Sequence, residues 1–224
     1  MNSAATAPPR LYLVTDRQAT GGRPLTAVVG AALRGIAGSG LAPHDVAVQL
    51  REKDLSGRAL TELARALRDT TAAAGVRLFV NDRIDVALAV GADGVHLGGA
   101  SLPPADARAV APALAVAISA HQLAEVRAAA GQVAFAVFGP IYATPSKHRY
   151  GPPVGLAVLD AAARVGLPLV AIGGIDSERV DDVLRAGAHG VACIRAVMSA
   201  ADPTAALRAL CRSIARAITT TDRS

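Results

Sequence analysis

The chain has 224 residues, 52% of them hydrophobic and 18% charged, which suits one domain with a sizeable core and excludes a disordered polyampholyte. A net charge of +5 and a pI of about 9.9 admit nucleic acid, a membrane surface or small anions as partners. Three Phe, three Tyr and no Trp give no stacking platform, and the Arg residues are scattered (Arg65, Arg68, Arg108, Arg185, Arg208), so nucleic acid is not expected.

Met1 to Pro9 is small and polar and lacks the basic start and apolar stretch of a signal peptide. No apolar run reaches the roughly 18 residues of a membrane span. The expected location is therefore the cytoplasm, with no membrane partner. Short runs rich in Val, Ile, Leu and Ala then recur at Leu11–Asp16, Asp45–Arg51, Arg77–Asp82, Gly94–Gly98, Ala113–Ser119, Val133–Pro140, Leu167–Gly174 and Gly190–Val197. Each is continuous rather than alternating, as expected of parallel strands buried on both faces. Between them lie Leu25–Gly38, Gly57–Ala74, Leu123–Ala130, Leu156–Val165 and Ser177–Ala186, with apolar residues three and four apart, and Pro203–Ala217 follows the last run. Cys193 and Cys211 sit in apolar segments outside any CxxC pair and read as buried thiols.

Eight strand–helix units without a long linker predict an α/β fold, a single (β/α)₈ TIM barrel. A doubly wound sheet would carry a Gly-rich dinucleotide loop after its first strand, where this chain has Arg17-Gln18-Ala19. Residues 1–224 form one predicted domain, with the barrel over about 11–217 and flexible tails at 1–9 and 218–224.

In such a barrel the chemistry lies at the carboxyl ends of the strands. Gln49, Arg51 and Lys53 alternate along one strand end and so point to one side, which suits a phosphate or pyrophosphate; an ordinary salt bridge is the plainer reading. Asn81-Asp82 offers a hard oxygen ligand for Mg²⁺, or a helix cap. Gly173-Gly174 permits close backbone approach to a phosphate, or simply a turn. His96 suits a packed core histidine as well as a functional one. His121, at the end of the fifth strand, suits acid–base work or capping.

In order along Leu11 to Ala200, the chain resembles the thiamine phosphate synthase and thiazole tautomerase superfamily. The motifs are Leu11-Tyr12-Leu13-Val14-Thr15-Asp16, Gln49-Leu50-Arg51-Glu52-Lys53, Asn81-Asp82-Arg83, Gly94-Val95-His96-Leu97-Gly98, Ser119-Ala120-His121, Gly139-Pro140-Ile141, Thr144-Pro145-Ser146-Lys147 and Ala171-Ile172-Gly173-Gly174-Ile175. The resemblance implies a transferase joining a hydroxymethylpyrimidine pyrophosphate to a thiazole phosphate, with release of pyrophosphate. It implies that Gln49, Arg51, Lys53, Asn81, Ser119 and Lys147 hold the pyrimidine pyrophosphate, and that Asp82 ligates Mg²⁺. Thr144, Ser146, Gly173, Gly174, Ile194 and Arg195 would surround the thiazole phosphate. Arg51 and Lys147 would stabilise the departing pyrophosphate.

Two positions depart from the family pattern. Ser101 stands where a second carboxylate near Mg²⁺ is usual, and Arg195 stands where a Ser usually meets the thiazole phosphate. These departures keep two alternatives open: a thiazole tautomerase-like isomerase, with His121 shuttling a proton, and a non-catalytic sensor of phosphate ligands. Homo-oligomerisation is compatible with the sequence and not specified by it.

Overall fold

In the computed structural model, which describes residues 7–143 and 152–221, eight short and almost wholly buried segments form strands. They are β1 (Leu11–Val14), β2 (Val46–Leu50), β3 (Arg77–Asn81), β4 (Gly94–Leu97), β5 (Ala115–Ala120), β6 (Phe135–Phe138), β7 (Leu169–Ile172) and β8 (Gly190–Cys193). Each pairs in parallel with its sequence neighbours, and β1 also pairs with β8, so the sheet closes into a barrel. Closure leaves no edge, and both faces of every strand are covered, which explains why the strands read as unbroken apolar runs.

Among the described residues the helices are α1 (Leu25–Leu33), α2 (Gly57–Ala73), α3 (Ile84–Ala89), α4 (Pro104–Val110), α5 (Leu123–Ala129), α6 (Gly155–Ala163), α7 (Val180–Arg185), the single turn α8 (Arg195–Met198) and α9 (Pro203–Thr221). Ser56 caps α2 by accepting the Ala59 N–H at 3.3 Å. On α9, Leu207, Leu210, Cys211 and Ile214 are fully buried at helical spacing and close the barrel's outside layer against α1 and α7. Both cysteines are free and buried, and burial pushes the Cys193 thiol up to about 12 and the Cys211 thiol up to about 11.

Most element ends shift by one to three residues from the sequence expectation, and three of the differences have a visible cause or consequence. The eighth apolar run was expected to extend to Val197, but β8 stops at Cys193. Ile194 leaves the extended region (φ −122°, ψ −86°), and residues 195–198 turn helical. The helix expected over Leu25–Gly38 tightens into a 3-10 turn at Arg34–Ile36. Gly35 lies there so close to α9 that a Cβ would sit 2.5 Å from the Thr204 carbonyl oxygen. At the other end, α9 continues past Ala217 to Thr221, through residues expected to be a tail. Its Thr219 and Thr220 hydroxyls donate to the carbonyls of Ala215 and Arg216 at 2.9 and 3.0 Å.

Alternation along the strands sorts the core into two bodies. Leu11, Leu13, Val46, Val48, Leu78 and Val80 face the helices, whereas Tyr12, Ala47, Phe79, Ala117, Phe135, Val170 and Ala192 fill the barrel. Tyr12, Phe79 and Phe135 meet edge to face with centroids 5.4 to 5.6 Å apart and plug the interior. Gly94 supplies the space for Phe79, since a Cβ there would stand 2.3 Å from the Phe79 Cε1 and 2.6 Å from the Ala115 carbonyl oxygen. Gly94→Ala is therefore expected to destabilise the protein by about 1–3 kcal/mol through overpacking. Gly99→Ala, where nothing lies within 4 Å, should shift the urea midpoint little; equal midpoint shifts would contradict this account of the plug.

Candidate active site

Counting on by two from the plug leads to the carboxyl-end layer of the barrel. The next inward residues are Val14, Gln49, Asn81, His96, Ser119, Val137, Ile172 and Ile194, one from each strand or its end. All eight line a cavity of about 350 Å³. Past the ends of β1, β2, β4, β5 and β6 the same parity gives Asp16, Arg51, Lys53, Gly98, His121 and Gly139, and these line it too, whereas Arg83 and Gly174, of the same parity beyond β3 and β7, do not. Gly99 and Arg195 are the two lining residues off this register.

The wall is polar on one side and apolar on the other. Gln49, almost fully buried, donates from Nε2 to the Asn81 Oδ1 at 3.2 Å. Val14, Val137, Ile172 and Ile194 supply the apolar part. Arg51, Lys53 and Arg195 face a single lining carboxylate, Asp16, and among the described residues none of the three cations forms a salt bridge. The nearest acidic neighbours of Arg51 and Lys53 in sequence, Glu52 and Asp54, are already taken. Arg17 pairs with Asp54 and reaches Glu52 at 3.7 Å. The salt-bridge alternative for Arg51 therefore does not hold.

Outward-facing residues of the same segments brace the wall. The buried Thr15 hydroxyl donates to Glu52 Oε1 at 2.8 Å and accepts the Arg51 N–H at 2.9 Å. Glu52 also accepts the Arg17 N–H at 3.1 Å. Alternation thus turns Thr15 and Glu52 away from the cavity to tie two loops together, while Asp16, Arg51 and Lys53 face into it. Burial raises the Glu52 pKa, against the lowering effect of the Thr15 and Arg17 hydrogen bonds.

His96 is buried, with Nε2 2.9 Å from the Ser119 Oγ and Nδ1 3.4 Å from the Tyr12 hydroxyl. Burial first, then the Arg51 and Lys53 charges, push its pKa down to about 3, so the imidazole is neutral. His121 lies on the wall with Nδ1 3.8 Å from Glu125 Oε2. It does not cap α5: Gln122 occupies the N-cap, and Glu125 accepts the Gln122 N–H at 3.2 Å.

Several expected site residues are placed otherwise. Asp82 is exposed and off the inward register; it is the one non-glycine residue with positive φ (66°) among the described residues. It does not cap α3, whose N-cap is Arg83. Ser101 accepts the Gly98 N–H at 2.7 Å and so closes its own loop. Gly173 and Gly174 do not line the cavity. Their positive φ values and lack of Cβ serve close packing, with a Cβ falling 2.6 Å from Pro140 and 2.8 Å from Tyr142 respectively. Thr144, Ser146 and Lys147 lie outside the described residues. Among lining residues that the sequence reading had not assigned to a role, Asp16, Val14, Val137, Ile172 and Gly139 share one available signal, the period-two count from the aromatic plug. No helix among the described residues is long and apolar enough to cross a membrane.

The family model described as thiamine monophosphate synthase matches residues 11–197. The chain belongs to that family. It is 47% identical to a thiamine-phosphate synthase of Roseiflexus castenholzii, over 90% of this chain and 86% of that protein. It is also 47% identical to a thiamine-phosphate synthase of Methanoculleus marisnigri, over 92% of this chain and 96% of that one. A solved thiamine phosphate pyrophosphorylase from Pyrococcus furiosus superposes with a TM-score of 0.82 and 33% identity, covering 97% of this chain and all of that one. The TIM barrel is thus the fold of a synthase family, and twelve of the sixteen residues that line its open end lie in the quoted motifs, Gly99, Val137, Ile194 and Arg195 being the exceptions.

The Thr15–Glu52 brace predicts a graded response. Glu52→Ala strands the Thr15 hydroxyl and the Arg17 N–H and should cost about 1–3 kcal/mol, while Glu52→Gln keeps an acceptor and should cost less. Because burial raises the Glu52 pKa, folding favours its protonated form. That contribution is fully present below the unfolded glutamate pKa and is lost as pH rises through the folded one. Relative to Glu52→Gln, wild type should therefore lose stability as pH rises from the ordinary glutamate range, measured by denaturant titration at several pH values; the opposite slope would refute the assignment.

Proposed function

We propose that this protein is a thiamine phosphate synthase, a transferase that condenses 4-amino-2-methyl-5-hydroxymethylpyrimidine pyrophosphate with thiazole phosphate. The observation that carries this reading is the convergence of Arg51 and Lys53 on one cavity with no salt bridge among the described residues, in a chain whose close relatives are named synthases. Those names favour the synthase over the tautomerase-like and sensor alternatives.

In the reaction, the bond from the pyrimidine methylene carbon to the pyrophosphate oxygen breaks, a bond from that carbon to the thiazole nitrogen forms, and pyrophosphate leaves. The main demand on the protein is to stabilise negative charge growing on the leaving group. Arg51, Lys53 and Lys147 are assigned to that charge, with Gln49, Asn81 and Ser119 orienting the pyrimidine pyrophosphate by hydrogen bonds. Two unit charges 4 Å apart attract by about 4 kcal/mol at an effective dielectric of about 20, against about 1 in bulk water. The apolar residues of the cavity therefore matter as much as the cations, because they keep the local dielectric low and exclude competing water. Thr144, Ser146, Ile194 and Arg195 are assigned to the thiazole phosphate, and Arg195 brings there a full charge with a bidentate donor fork. His121 lies on the same wall and is assigned a supporting role in substrate contact.

The family resemblance implies Mg²⁺. Among the described residues no group of three or more His, Cys, Asp or Glu side chains forms a ready cage. Mg²⁺ commonly keeps waters and binds through one or two carboxylates plus substrate phosphates, so a single exposed carboxylate fits that chemistry. The Asp82 carboxylate makes no hydrogen bond or salt bridge among the described residues, although its backbone N–H donates to the His96 carbonyl at 2.9 Å, and it is the carboxylate that would hold the ion. When bound, Mg²⁺ would neutralise part of the pyrophosphate charge.

Incubation of the purified protein with both substrates and Mg²⁺ should give thiamine phosphate, followed by chromatography. Arg51→Ala should lower kcat/KM about 10²-fold or more, as for other lost transition-state charge contacts; a normal rate would remove Arg51 from the site. Restoring the carboxylate, Ser101→Asp, should lower the Mg²⁺ concentration needed for half-maximal rate without abolishing turnover. An unchanged Mg²⁺ titration would mean that residue 101 does not approach the ion.

A further inference from the structure

A chain of three polar side chains runs from the barrel core to the cavity wall. The Tyr12 ring belongs to the buried plug, and its hydroxyl is 3.4 Å from the His96 Nδ1. The same imidazole places Nε2 2.9 Å from the Ser119 Oγ, and both His96 and Ser119 line the cavity. Tyr12 and His96 also stack, with centroids 5.8 Å apart and an interplanar angle of 27°. The edge-to-face contacts with Phe79 and Phe135 hold the phenol ring from its other sides.

Counting protons gives the chain a direction. A neutral imidazole has one donor nitrogen and one acceptor nitrogen, and a phenol has one proton to place. Among the described residues the only partner of the Tyr12 hydroxyl is Nδ1. Were Nδ1 to carry the imidazole hydrogen, the Tyr12 proton would be left in an apolar core with no acceptor, at the full cost of an unmade buried hydrogen bond. Nδ1 therefore accepts from Tyr12, and Nε2 carries the hydrogen and donates it to the Ser119 Oγ. With a lone pair of Ser119 engaged from behind, its own proton is available to the cavity.

We propose that Tyr12 and His96 are positioning residues that fix the Ser119 hydroxyl as a donor into the cavity, so that Ser119 selects an anionic phosphate oxygen. The identity of that anion as the pyrimidine pyrophosphate rests on the synthase reading; the direction of the relay rests on the distances and on the neutral state of the buried His96. A Ser hydroxyl can otherwise donate or accept, and a neutral ligand atom could turn it round. Held as a donor, it favours oxyanions and adds to the field of Arg51 and Lys53 without adding charge.

Nitrogen-15 NMR of histidine-labelled protein reads the tautomer directly. A bare Nδ1 and a protonated Nε2 on His96 are expected, and the reverse pattern overturns the proposal. Calorimetric titration with inorganic pyrophosphate and Mg²⁺ reads the consequence without turnover. Ser119→Ala should weaken binding roughly tenfold or more, as for a lost hydrogen bond to a charged group. Tyr12→Phe keeps the ring and should weaken binding by about threefold to tenfold, within the range of a single hydrogen bond. In the double variant Tyr12→Phe should add nothing to Ser119→Ala, whereas fully additive losses would show that Tyr12 acts only through core packing. Should Tyr12→Phe fail to fold, the same cycle is run with His96→Gln, whose amide can still donate to Ser119, and with His96→Leu, which cannot. The Gln variant is expected to bind nearer to wild type, and equal losses overturn the relay. If the tautomer and the cycle are as expected but wild type makes no thiamine phosphate, the synthase reading falls and the relay stands.

Discussion

Closing eight parallel strands into a barrel brings every strand's carboxyl end to one rim, and the rest of the molecule depends on that constraint. Each strand then offers the rim one inward residue in every two. At the level of Tyr12, Phe79 and Phe135 those positions are filled by rings, which makes the interior a solid floor. One step further, Val14, Gln49, Asn81, His96, Ser119, Val137, Ile172 and Ile194 leave a cavity in place of a plug. The site is thus the layer at which inward side chains become polar or too small to meet, and its depth is set by the aromatic layer beneath it.

The charge distribution follows from the same alternation. Along residues 51–53, two cations face in and the carboxylate between them faces out. Glu52 is then spent on Thr15 and on the Arg17 backbone, and Arg17 in turn occupies Asp54. Three cations, Arg51, Lys53 and Arg195, thus meet one lining carboxylate, Asp16, and a positive field is kept in the cavity because Glu52 and Asp54 are given partners of their own. The neutral His96 fits this arrangement. A charged imidazole beside Arg51 and Lys53 would be costly in a buried position, and a neutral one can act as a hydrogen-bond link.

Much of this was legible in the sequence. Continuous apolar runs at regular spacing are enough for a parallel barrel, and the residues at their carboxyl ends are enough to locate its open face. What the sequence reading left out or misplaced has particular physical causes. Asp16 and the apolar lining residues belong to the site through inward parity, which becomes countable once Tyr12, Phe79 and Phe135 are known to face the interior. The end of β8 was misjudged because Val191 to Val197 is apolar enough to continue as a strand, and only the backbone turn at Ile194 interrupts it. Gly173-Gly174 looked like a phosphate loop, but the glycines are also required by close packing against Pro140 and Tyr142. A glycine pair reports a close approach and does not say to what.

The two departures from the pattern that the resemblance implies, Ser101 and Arg195, act on charge in the same direction. Replacing a carboxylate by Ser101 removes one negative charge from the open end, and replacing a serine by Arg195 adds one positive charge. Together they make this end more positive by two charges than the family pattern would. A more positive site holds phosphates tightly and leans less on a metal ion to offset their charge, whereas a second carboxylate would hold the metal at the expense of the anion. Ser101 is not idle in this exchange: its hydroxyl accepts the Gly98 N–H and shapes the loop that lines the cavity. On the pattern that the resemblance implies, Ser101 and Arg195, at the ends of β4 and β8, would therefore shift the balance between protein cations and Mg²⁺ towards the cations.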